Sequence, residues 1–292
     1  MTPLVGIVIV NWNNAADTNE CLQSLAKASY SNYKIIIIDN GSENKQEARI
    51  KIQDPCIVLI TNPDNVGFAV ACNQGIEKLL ELGADYVLLL NNDTTVAPDF
   101  LEHLIEYAAK NTNTVVSPKI LYAGTPIIQN LGGRMFPLAG GTIHIGNGKP
   151  SENFKKPLSP DLLSGCAMLI PKNIIKKVGL MNPIYFAYYE DTDWCTRAKS
   201  AGYKLVVVPA SVIWHKHSSS RGKNQEKKFY LLGRNSIIFA RKNLHGLTKI
   251  IWVMSAVITA WLFMFALRYD FKTRLARLKG VKEGLTITFS NP

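Results

Sequence analysis

The sequence predicts an α/β fold, with an open, mostly parallel sheet flanked by helices and a C-terminal helical extension. The first evidence is the alternation of apolar runs of strand length with helical patterns through the first 120 residues, which is typical of sheets with right-handed crossovers. The second is the polar sequence after three of those runs, because open α/β sheets bind ligands at the carboxyl ends of their strands. The third is a long uncharged segment at residues 250–267, set in basic sequence.

Strands are predicted at residues 5–10, 34–38, 57–60 and 86–90, because near-continuous apolar runs are typical of strands buried on both faces. Asp17 with Glu20 three residues later is typical of a capping box and predicts a helix through Lys27. Two more helices are predicted, at residues 66–82 and at 98–110, where Pro98 takes the first helical position. Residues 119–160 are rich in Gly and Pro and predict a loop-rich segment over the site.

The later sequence continues in shorter elements. Strands are predicted at residues 164–170, 205–209 and 212–215, and helices at 171–179, 190–201 and 227–243. We therefore expect the main domain over residues 1–245 and a basic, apolar helical extension over residues 246–292.

Charge is distributed unevenly along the chain. Residues 1–214 carry 18 Lys and Arg against 19 Asp and Glu, whereas residues 215–292 carry 15 against 3. Such a basic block suits anionic lipid headgroups or nucleic acid. We expect no nucleic-acid partner, because no zinc finger or aromatic RNA-binding signature accompanies the block. A solvated basic tail is the alternative.

The uncharged segment at residues 250–267 is at the lower edge of the length that crosses a bilayer. Lys249 and Arg268 flank it, and both flanks would prefer the cytoplasm. An in-plane or re-entrant helix would leave both basic flanks on the cytoplasmic side. We therefore expect peripheral or monotopic attachment to an anionic membrane surface, at the cytoplasmic face of the cell membrane. A buried packing or dimerisation helix is the alternative, which leaves a homodimer open.

The cellular compartment is predicted from the N-terminus and the cysteines. The chain enters its first strand pattern without a basic segment or a cleavage site, which argues against secretion. Its five cysteines lack CxxC pairing and are typical of reduced cytosolic thiols, not of a disulfide framework or a zinc site.

Carboxylates end two of the predicted strands. Asp93 closes the run Leu90-Asn91-Asn92-Asp93, and a carboxylate there is costly unless it is paired, hydrogen-bonded or bound to a cation such as Mg²⁺. Asp39 ends the second strand, where an acidic residue often contacts the ribose or base of a nucleotide. Either residue could instead stabilise the turn that follows it. The turn after the first strand, Asn11-Trp12-Asn13-Asn14, contains no glycine, which disfavours a dinucleotide oxidoreductase.

Two later clusters carry titratable groups. Glu190, Asp191 and Asp193 stand at the start of a predicted helix, where they could stabilise the helix N-terminus or be crowded into a general base with a raised pKa. His215 and His217 end a predicted strand beside Lys, Ser and Arg residues, where an imidazole can ligate a metal or contact a diphosphate. A solvated strand end is the alternative.

Taken together, these residues resemble the family 2 glycosyltransferases with the GT-A fold, of the rhamnosyltransferase-like bacterial and archaeal type. The resemblance covers roughly residues 4–245 and rests on an ordered set of motifs, which is specific although no single motif is. The motifs are Val10-Asn11-Trp12-Asn13; Asp39-Asn40-Gly41-Ser42; Asn65-x-Gly67-Phe68-Ala69 with Asn73-x-Gly75; Leu90-Asn91-Asn92-Asp93; Ser164-Gly165-Cys166; Tyr189-Glu190-Asp191-x-Asp193; and His215 with Ser220.

The resemblance implies a donor site and a metal site. The donor-binding residues would be Asn11, Trp12, Asn13, Asp39, Asn65, Gly67, Asn73 and Asn92. Where the family has Asp-x-Asp, this chain has Asn91-Asn92-Asp93, so Asp93 alone would supply the carboxylate to Mg²⁺ or Mn²⁺. His215 would reach the metal or the diphosphate.

The resemblance also implies a catalytic group. Asp191 would be the base, with Glu190 as the second candidate, and Gly165, Asp193 and Trp194 would position the acceptor. Asp191 would remove the proton of an acceptor hydroxyl as its oxygen attacks the anomeric carbon opposite the diphosphate, which inverts the configuration. The acceptor implied is a glycan or a lipid-linked glycan in cell-surface polysaccharide synthesis.

The donor implied is dTDP-rhamnose, with UDP-hexoses as the alternative. Two other classes remain open. A nucleotidyltransferase would need a Gly-rich, basic phosphate loop after the first strand, and the sequence has none there. A non-catalytic, membrane-bound binding subunit is disfavoured because Asp93 and Asp191 are both present.

Overall fold

The structure is a computed structural model that describes residues 2–43, 49–52, 54–216 and 225–289. These residues form two compact units. The first lies within residues 1–133, 144–186 and 190–219, and the second lies within residues 134–143, 187–189 and 220–292. The predicted extension at residues 246–292 falls in the second unit, together with the helix that precedes it.

Strands and helices alternate through the N-terminal half, as predicted. In chain order the elements are β1 (Val5–Asn11), α1 (Ala15–Leu25), β2 (Tyr33–Asn40), β3 (Ile57–Asn62), α2 (Phe68–Glu81), β4 (Tyr86–Asn91), β5 (Thr94–Val96), α3 (Phe100–Lys110), β6 (Thr114–Tyr122), β7 (Ile128–Asn130), β8 (Gly133–Phe136), β9 (Gly141–His144), β10 (Ala167–Pro171), α4 (Lys172–Val178), α5 (Glu190–Ser200), β11 (Lys204–His215), α6 (Gln225–Asn243), α7 (Gly246–Leu262) and α8 (Phe271–Thr286). The second unit contains most of β8 and β9, and all of α6, α7 and α8.

The predicted open sheet flanked by helices is confirmed. In the described part of the first unit its strand order is β3-β2-β1-β4-β10-β6-β11-β5, with β7 paired to β6. Strands β3, β2, β1 and β4 are parallel, as are β6 and β11. Strands β5, β7 and β10 run antiparallel to their neighbours, so the sheet is mixed. Strand β7 follows its partner β6 through a short loop, as in a hairpin, whereas β5 and β10 pair with strands that are distant in sequence.

The strand registers bring the polar strand ends together. Asn11 at the end of β1 pairs with Asp39 at the end of β2, and Val10 pairs with Asn91 at the end of β4. Asn11, Asp39 and Asn91 therefore lie together at the carboxyl ends of neighbouring strands, as expected. Further along the strand order, His215 at the end of β11 pairs with Thr94.

The core explains why these strands are so apolar. The central strands β1, β2 and β4 are buried along nearly their whole length, because helices cover the sheet. On one side, α1 and α3 pack their apolar residues onto it. On the other side α2 comes so close that a Cβ on Gly75 would lie 2.5 Å from Val8 Cγ1.

Three local predictions differ from the structure. Helix α1 begins at Ala15 and is capped by Asn14, whose side chain accepts from the Asp17 backbone N–H, so Asp17 is a first-turn residue and not the cap. Helix α3 begins at Phe100, after Pro98. The two strands predicted within residues 205–215 are a single strand, β11, with an irregular register between Val208 and Val212.

The second unit is built around α6. Helix α8 packs closely along it, since a Cβ on Gly284 would lie 2.6 Å from the Arg234 carbonyl oxygen. Helix α7 contacts α6 through Trp252, whose indole N–H donates to Ser236 Oγ at 3.0 Å. Among the described residues, one helical stretch, Gly246–Phe265, is long and apolar enough to cross a membrane by length and composition alone. Core helices of soluble proteins also pass that test, although little of this stretch is buried.

Candidate active site

The carboxyl ends of β1 and β2 carry a closed hydrogen-bond network. Asn11 Nδ2 donates to Asp39 Oδ1 at 2.6 Å, and Ser42 donates to Asp39 Oδ1 from its hydroxyl at 2.7 Å and to Oδ2 from its backbone N at 3.1 Å. Asn11 and Asp39 are fully buried. Because Asp39 has no exposed surface and Ser42 bonds to both of its oxygens, a nucleoside would reach this carboxylate only if the turn at Ser42 opened.

Asn92, after β4, joins the same network through α1. Asn92 Nδ2 donates to Thr18 Oγ1 at 3.0 Å, and that hydroxyl donates to Asn11 Oδ1 at 2.8 Å. The structure thus brings together three predicted donor-binding residues, Asn11, Asp39 and Asn92. Ser42 was part of the motif Asp39-Asn40-Gly41-Ser42 but was given no role of its own. Thr18 was not predicted, because a single hydroxyl in a helix has no pattern that marks it.

Trp12 and Asn13 lie at the surface just after β1. Trp12 is 46% exposed, so its ring is available to stack on a ligand. Asn13 has a φ of 56°, in the left-handed region that Asn tolerates. Its backbone N–H donates to Ser42 Oγ at 2.8 Å, and its side-chain oxygen accepts from the Glu43 N–H at 2.7 Å. Asn13 therefore holds the turn that covers Asp39, and Trp12 offers free surface.

Asn65 and Gly67 shape the turn that precedes α2. Asn65 Oδ1 accepts from the Gly67 N–H at 3.0 Å and from Asn40 Nδ2 at 3.1 Å. Gly67 has a φ of 91°, and a Cβ there would lie 2.8 Å from the Phe186 carbonyl oxygen. That carbonyl also accepts from the Phe68 N–H at 2.6 Å. Residue 67 is therefore glycine because the backbone of residue 186 passes directly against it.

Asn73 lies outside this network. Its side chain exchanges two hydrogen bonds with the backbone of Met181, at 2.8 and 2.9 Å, and it is buried. These bonds tie α2 to the segment after α4. The structure does not bring Asn73 to Asn11 or Asp39, and its place in the donor pocket stays a prediction.

Asp93, just before β5, lies against His215 at the end of the neighbouring strand β11. Asp93 Oδ1 lies 2.9 Å from His215 Nε2, and both side chains are largely buried. The other ring nitrogen, Nδ1, lies 2.6 Å from Gln129 Oε1, which is an acceptor, so Nδ1 carries a hydrogen. Burial lowers the pKa of His215, but the neighbouring Cys166 and Asp93 outweigh it and raise the pKa to about 11.

This pair fits a divalent cation. A carboxylate oxygen suits Mg²⁺ or Mn²⁺, an imidazole suits the transition metal, and such ions complete their shells with water and substrate phosphate oxygens. Because Nδ1 is bonded to Gln129, Nε2 is the nitrogen that would face a metal, and a bound cation would have to displace the Nε2 proton that the raised pKa implies. Within the described ranges no cluster of three or more His, Cys, Asp and Glu side chains could hold a metal ion. Phosphate oxygens of the donor and water would therefore have to complete the coordination shell. The predicted His217, Ser220 and Arg221 lie outside the described residues.

Glu190 and Asp191 begin α5 in contrasting surroundings. The Asp191 carboxylate accepts from the Gly165 N–H at 2.9 Å and from the Thr192 N–H at 2.6 Å, which orients it. Glu190 is buried, and its Oε2 has no hydrogen-bond partner in the structure. Burial, and then the charge of Asp191, raise the pKa of Glu190 to about 8. Glu190 therefore holds a proton at neutral pH, and Asp191 is the oriented carboxylate.

The loop that contains Gly165 lies between Asp191 on α5 and the end of β4, which precedes Asp93. A Cβ on Gly165 would lie 3.3 Å from Asp191 Cβ, so the loop before β10 comes close to α5. The next residue, Cys166, accepts at its carbonyl oxygen from the Asn91 N–H at 2.8 Å, two residues before Asp93. Two contacts thus connect the loop before β10 to both places: Gly165 contacts Asp191, and Cys166 bonds to Asn91, two residues before Asp93.

Asp193 and Trp194 lie on the inner side of α5. Asp193 accepts from the Tyr185 hydroxyl and from Arg197 Nε, each at 2.9 Å. Trp194 Nε1 donates to the Gly179 carbonyl oxygen at 2.8 Å. Both side chains are almost completely buried. These contacts fix α5 in place. A role of Asp193 and Trp194 in positioning the acceptor, which would act through α5, stays a prediction.

The residues just before Glu190 have a strained backbone. Three of them have positive φ values, namely Phe186 (59°), Tyr188 (67°) and Tyr189 (75°), and such conformations cost non-glycine residues roughly 1–3 kcal/mol each. In the second unit, Asn235 Nδ2 donates to the carbonyl oxygens of residues 187 and 188 at 2.9 and 2.8 Å. The role of Asn235 is not predictable from the sequence, because nothing in the helical pattern of α6 distinguishes a buried Asn from an exposed one.

The mixed sheet, with its polar strand ends and its paired carboxylate sites, defines the GT-A class of transferase folds. The pattern of the family described as Glycosyl transferase family 2 matches residues 6–179, which is more than half of the chain. The chain therefore belongs to glycosyl transferase family 2, as the motifs predicted.

One relative and two solved structures illustrate the range of similar proteins. The N-acetylglucosaminyl-diphospho-decaprenol L-rhamnosyltransferase of Mycobacterium tuberculosis (strain ATCC 25618 / H37Rv) is 24% identical over 271 residues, which are 82% of this chain and 84% of that protein. GalNAc-T7, solved with UDP, GalNAc and Mn²⁺, superposes with a TM-score of 0.63 at 17% identity, over 97% of this chain. This chain spans only 56% of the GalNAc-T7 chain.

A mannosyltransferase from Pyrobaculum calidifontis, solved in complex with GDP-Man and Mn²⁺, superposes with a TM-score of 0.61 at 14% identity, over 98% of this chain and 88% of that chain. At these identities the two structures show a shared fold. Together with the family match they make the GT-A assignment secure.

Proposed function

We propose that this protein is an inverting glycosyltransferase that moves a sugar from a nucleotide diphosphate donor to a glycan or lipid-linked acceptor in cell-surface polysaccharide synthesis. The observation that carries the proposal is the link between two sites: Asp191 is oriented by the Gly165 N–H, and the adjacent Cys166 carbonyl bonds to Asn91, two residues before Asp93. Inverting transfer needs two functions in one place, a base for the acceptor and a group that stabilises charge on the leaving diphosphate.

Asp191 is proposed as the base. Its carboxylate accepts the proton of the acceptor hydroxyl while that oxygen attacks the anomeric carbon from the face opposite the diphosphate. The new glycosidic bond forms as the bond to the diphosphate oxygen breaks, and the configuration inverts. The surroundings of Glu190 support this choice, because a carboxyl that already holds its proton at neutral pH cannot accept another.

Asp93 and His215 are proposed to hold Mg²⁺ or Mn²⁺, whose charge would offset the negative charge that develops on the leaving diphosphate. The 2.9 Å approach of the Asp93 carboxylate to His215 Nε2 supports this site, because release of the Nε2 proton on metal binding would leave two ligand atoms facing each other. The presence of Mn²⁺ in both solved neighbours supports the use of a divalent ion in this fold. Gln129 would orient His215 toward the ion.

The donor is proposed to bind at the carboxyl ends of β1, β2 and β4. Trp12 would stack on the nucleobase or the sugar, and Asp39 would contact the ribose after the Ser42 turn opens. The remaining donor residues proposed are Asn11, Asn13, Asn65, Gly67, Asn73 and Asn92. The proposed donor is dTDP-rhamnose, supported by the rhamnosyltransferase named among the relatives, with UDP-hexoses as the second candidate.

The enzyme is proposed to work at the cytoplasmic face of the cell membrane, with residues 1–245 as the catalytic domain and residues 246–292 as the attached extension. The described residues 225–289 contain 12 Lys and Arg against 3 Asp and Glu, a charge that suits anionic headgroups. The name of the Mycobacterium tuberculosis relative states a diphospho-decaprenol acceptor, and such a lipid would have to be reached at a membrane.

The sharpest test of the proposal is Asp191→Asn, which keeps the side-chain shape and removes the proton acceptor. We expect glycosyl transfer to fall by about 10²–10⁴-fold, while donor affinity, measured by calorimetry, stays within a few-fold of wild type. Glu190→Gln is the matched control at the neighbouring carboxyl, and it should have a milder effect. If Asp191→Asn keeps normal transfer and Glu190→Gln loses it, the base is Glu190. If neither variant loses transfer, the mechanism is wrong.

A second experiment identifies the donor. Purified protein is given dTDP-rhamnose, UDP-glucose, UDP-galactose and GDP-mannose in turn, with and without Mn²⁺, and release of the nucleoside diphosphate is measured. We expect turnover with dTDP-rhamnose to exceed the others and to require the metal. Faster turnover of a UDP-hexose would replace the proposed donor and leave the transferase assignment intact.

A further inference from the structure

Helix α7 presents an unusual outer face. Trp252, Ala256 and Ala260, spaced four residues apart, are buried in the second unit, so one stripe of the helix faces inward. The opposite face is apolar as well. The exposed large apolar residues of α7 and the turn after it are Leu247, Ile250, Met254, Val257, Ile258, Trp261, Leu262, Phe265 and Leu267. A solvated helix would carry charges on that side, and residues 250–267 contain none.

A second segment, distant in sequence, extends this apolar face. The loop between β8 and β9 packs on the middle of α7, since a Cβ on Gly140 would lie 2.6 Å from the backbone N of Ala256. Ser236 Oγ fixes the loop by donating to the Gly140 carbonyl oxygen at 2.9 Å. The loop and its flanks expose three more apolar side chains, Phe136, Leu138 and Ile143, of which Leu138 is 70% exposed.

We propose that these two segments form one docking surface, made of residues 136–143 and the outer face of α7, which enters the interface of an anionic lipid bilayer with α7 lying in the membrane plane. The inference rests on the proposed function in one respect, because it specifies how the protein would be attached to the membrane. It adds the loop at residues 136–143 as a second point of insertion and assigns an orientation to α7.

Packing of α7 within its own unit favours the in-plane orientation over a span. The Trp252 ring lies 5.3 Å from the Phe239 ring and its N–H bonds to Ser236, so the inner stripe is already occupied by protein along the helix. A spanning helix would have to leave these partners. Lys249 and Arg268 lie at the two ends of the apolar stretch, and an in-plane helix places both charges at the level of the headgroups.

Charge favours a lipid surface over a second copy of the chain. Residues 225–289 carry a net charge of +9, with 12 basic and 3 acidic residues. Two copies joined through this face would bring like charges together, which is unfavourable. Anionic headgroups instead complement the basic residues while the apolar side chains leave water.

Vesicle flotation with single substitutions tests the surface. Vesicles of phosphatidylcholine, alone or mixed with phosphatidylglycerol, are incubated with full-length wild type, Leu138→Glu, Trp261→Glu and Val58→Glu. Leu138 and Trp261 are 70% and 58% exposed, so both variants should fold, which circular dichroism verifies. Val58 is an exposed apolar residue on β3, in the other unit, and makes the matched control. We expect Leu138→Glu and Trp261→Glu each to weaken binding to the mixed vesicles by about tenfold or more, and Val58→Glu to bind like wild type.

The outcomes separate the inference from the proposed function. If wild type binds and Leu138→Glu binds equally well, the loop is not part of the surface and the inference fails, while membrane attachment stands. If wild type does not bind vesicles and sediments as a dimer that Trp261→Glu dissociates, the face joins two copies and the inference is overturned. Donor hydrolysis, measured without vesicles, should be unchanged in both variants, because neither residue lies among the proposed catalytic groups.

Fluorescence quenching tests the orientation. Lipids brominated near the headgroup should quench Trp261 more strongly than lipids brominated near the chain end, and the difference should vanish in Trp261→Phe. Stronger quenching near the chain end would indicate deep insertion and overturn the in-plane orientation.

Discussion

Glu190 and Asp191 are neighbours in sequence, yet their surroundings give them different chemistry. Asp191 points to the Gly165 and Thr192 N–H groups. Glu190 is enclosed, and one of its oxygens has no hydrogen-bond donor. A buried carboxyl of this kind stays neutral because a charge there would be poorly solvated. Glu190 thus holds a proton, whereas two backbone N–H groups orient the Asp191 carboxylate. Acid–base sites typically pair carboxyl groups in such different surroundings.

Glu190→Gln should make stability less sensitive to pH. The pKa of Glu190 in the folded protein, about 8, lies above its ordinary value of 4.5, so between these values the folded protein holds a proton that the unfolded chain releases. The free energy of unfolding of wild type therefore falls as pH rises through this window, and glutamine removes that contribution. Urea unfolding should show the variant gaining stability relative to wild type from pH 4.5 towards pH 8.

Glu152→Gln, at an exposed turn, is the control for this measurement. Its stability should follow that of wild type at every pH. A difference between Glu190→Gln and wild type that stays constant with pH would show that Glu190 is not buried as a neutral acid.

Asp93→Ala should remove metal-dependent turnover. Asp93 is the carboxylate of the candidate metal pair, so its loss should lower turnover by about 100-fold, equivalent to about 2.7 kcal/mol of barrier. EDTA should abolish the activity of wild type, and added Mn²⁺ should restore it. Full activity of wild type in EDTA would rule out the metal.

Gln129→Leu should weaken metal binding without touching a ligand. Gln129 Oε1 accepts from His215 Nδ1 at 2.6 Å, and loss of such a partner typically lowers metal affinity by about 10–100-fold. Mn²⁺ affinity, measured by electron paramagnetic resonance of the free ion, should therefore rank wild type above Gln129→Leu. Gln129→Glu keeps an acceptor oxygen and should restore binding. Equal Mn²⁺ affinity in wild type and Gln129→Leu would show that Gln129 only fills space.

At the scale of elements, the contact between α6 and α8 depends on small residues. Gly280 and Gly284 lie four residues apart on α8, so they share one face, and a Cβ on either would collide with a backbone carbonyl of α6. Arg234 of α6 then reaches Glu283 of α8, with Nε 2.8 Å from Oε1. The two helices can approach this closely only because the side chains between them are missing.

Gly280→Leu should therefore destabilise the second unit. The new side chain has no room, so the helices must separate, and overpacking of this kind typically costs about 1–3 kcal/mol or more. Thermal unfolding followed by circular dichroism should show a lower Tm. Lys279→Leu introduces the same side chain at the adjacent, exposed position of α8, and it should leave the Tm within a few degrees. Equal Tm values for the two variants would contradict the close packing.

The regular elements were predictable because their periodicity is local. Strands β1 to β4 and helices α2, α4 and α5 begin and end within two or three residues of the predicted positions. The clustering of Asn11, Asp39, Asn92 and Asp93 was also predictable, because parallel strands place their carboxyl ends at one edge. These inferences need only the order of apolar and polar residues along each segment.

Contacts between distant segments were not predictable in this way. Gln129 reaches His215 from β7, a three-residue strand inside the Gly- and Pro-rich region. Asn235 supports the strained residues 187 and 188 from a different helix. The sequence predicted the cap of α1 at Asp17 instead of Asn14, because Asp17 and Glu20 match a capping pattern. In the structure their carboxylates pair with Lys216. Each of these depends on tertiary packing that a single sequence does not encode locally.

At the scale of the whole molecule, charge and chemistry are assigned to different parts of the chain. The proposed catalytic and metal residues belong to the first unit, whose part of the sequence is nearly neutral, whereas the basic excess belongs to the second. Under the proposed function, the second unit would meet a lipid surface while the first unit binds the nucleotide sugar. Salt should therefore affect the two parts differently.

Salt should weaken transfer to a lipid-linked acceptor and leave donor hydrolysis nearly unchanged. Basic residues near an anionic membrane contribute about 1 kcal/mol each, and this attraction is screened as the Debye length falls from about 10 Å at 0.1 M salt to about 3 Å at 1 M. With the acceptor in vesicles that contain phosphatidylglycerol, kcat/KM should fall steeply with NaCl. With the acceptor in neutral vesicles the salt dependence should be shallow, because the apolar contacts of α7 are not screened. If donor hydrolysis in the absence of vesicles falls as steeply as transfer does, salt acts on diphosphate binding at Asp93 and His215, and the basic unit has no part in reaching the acceptor.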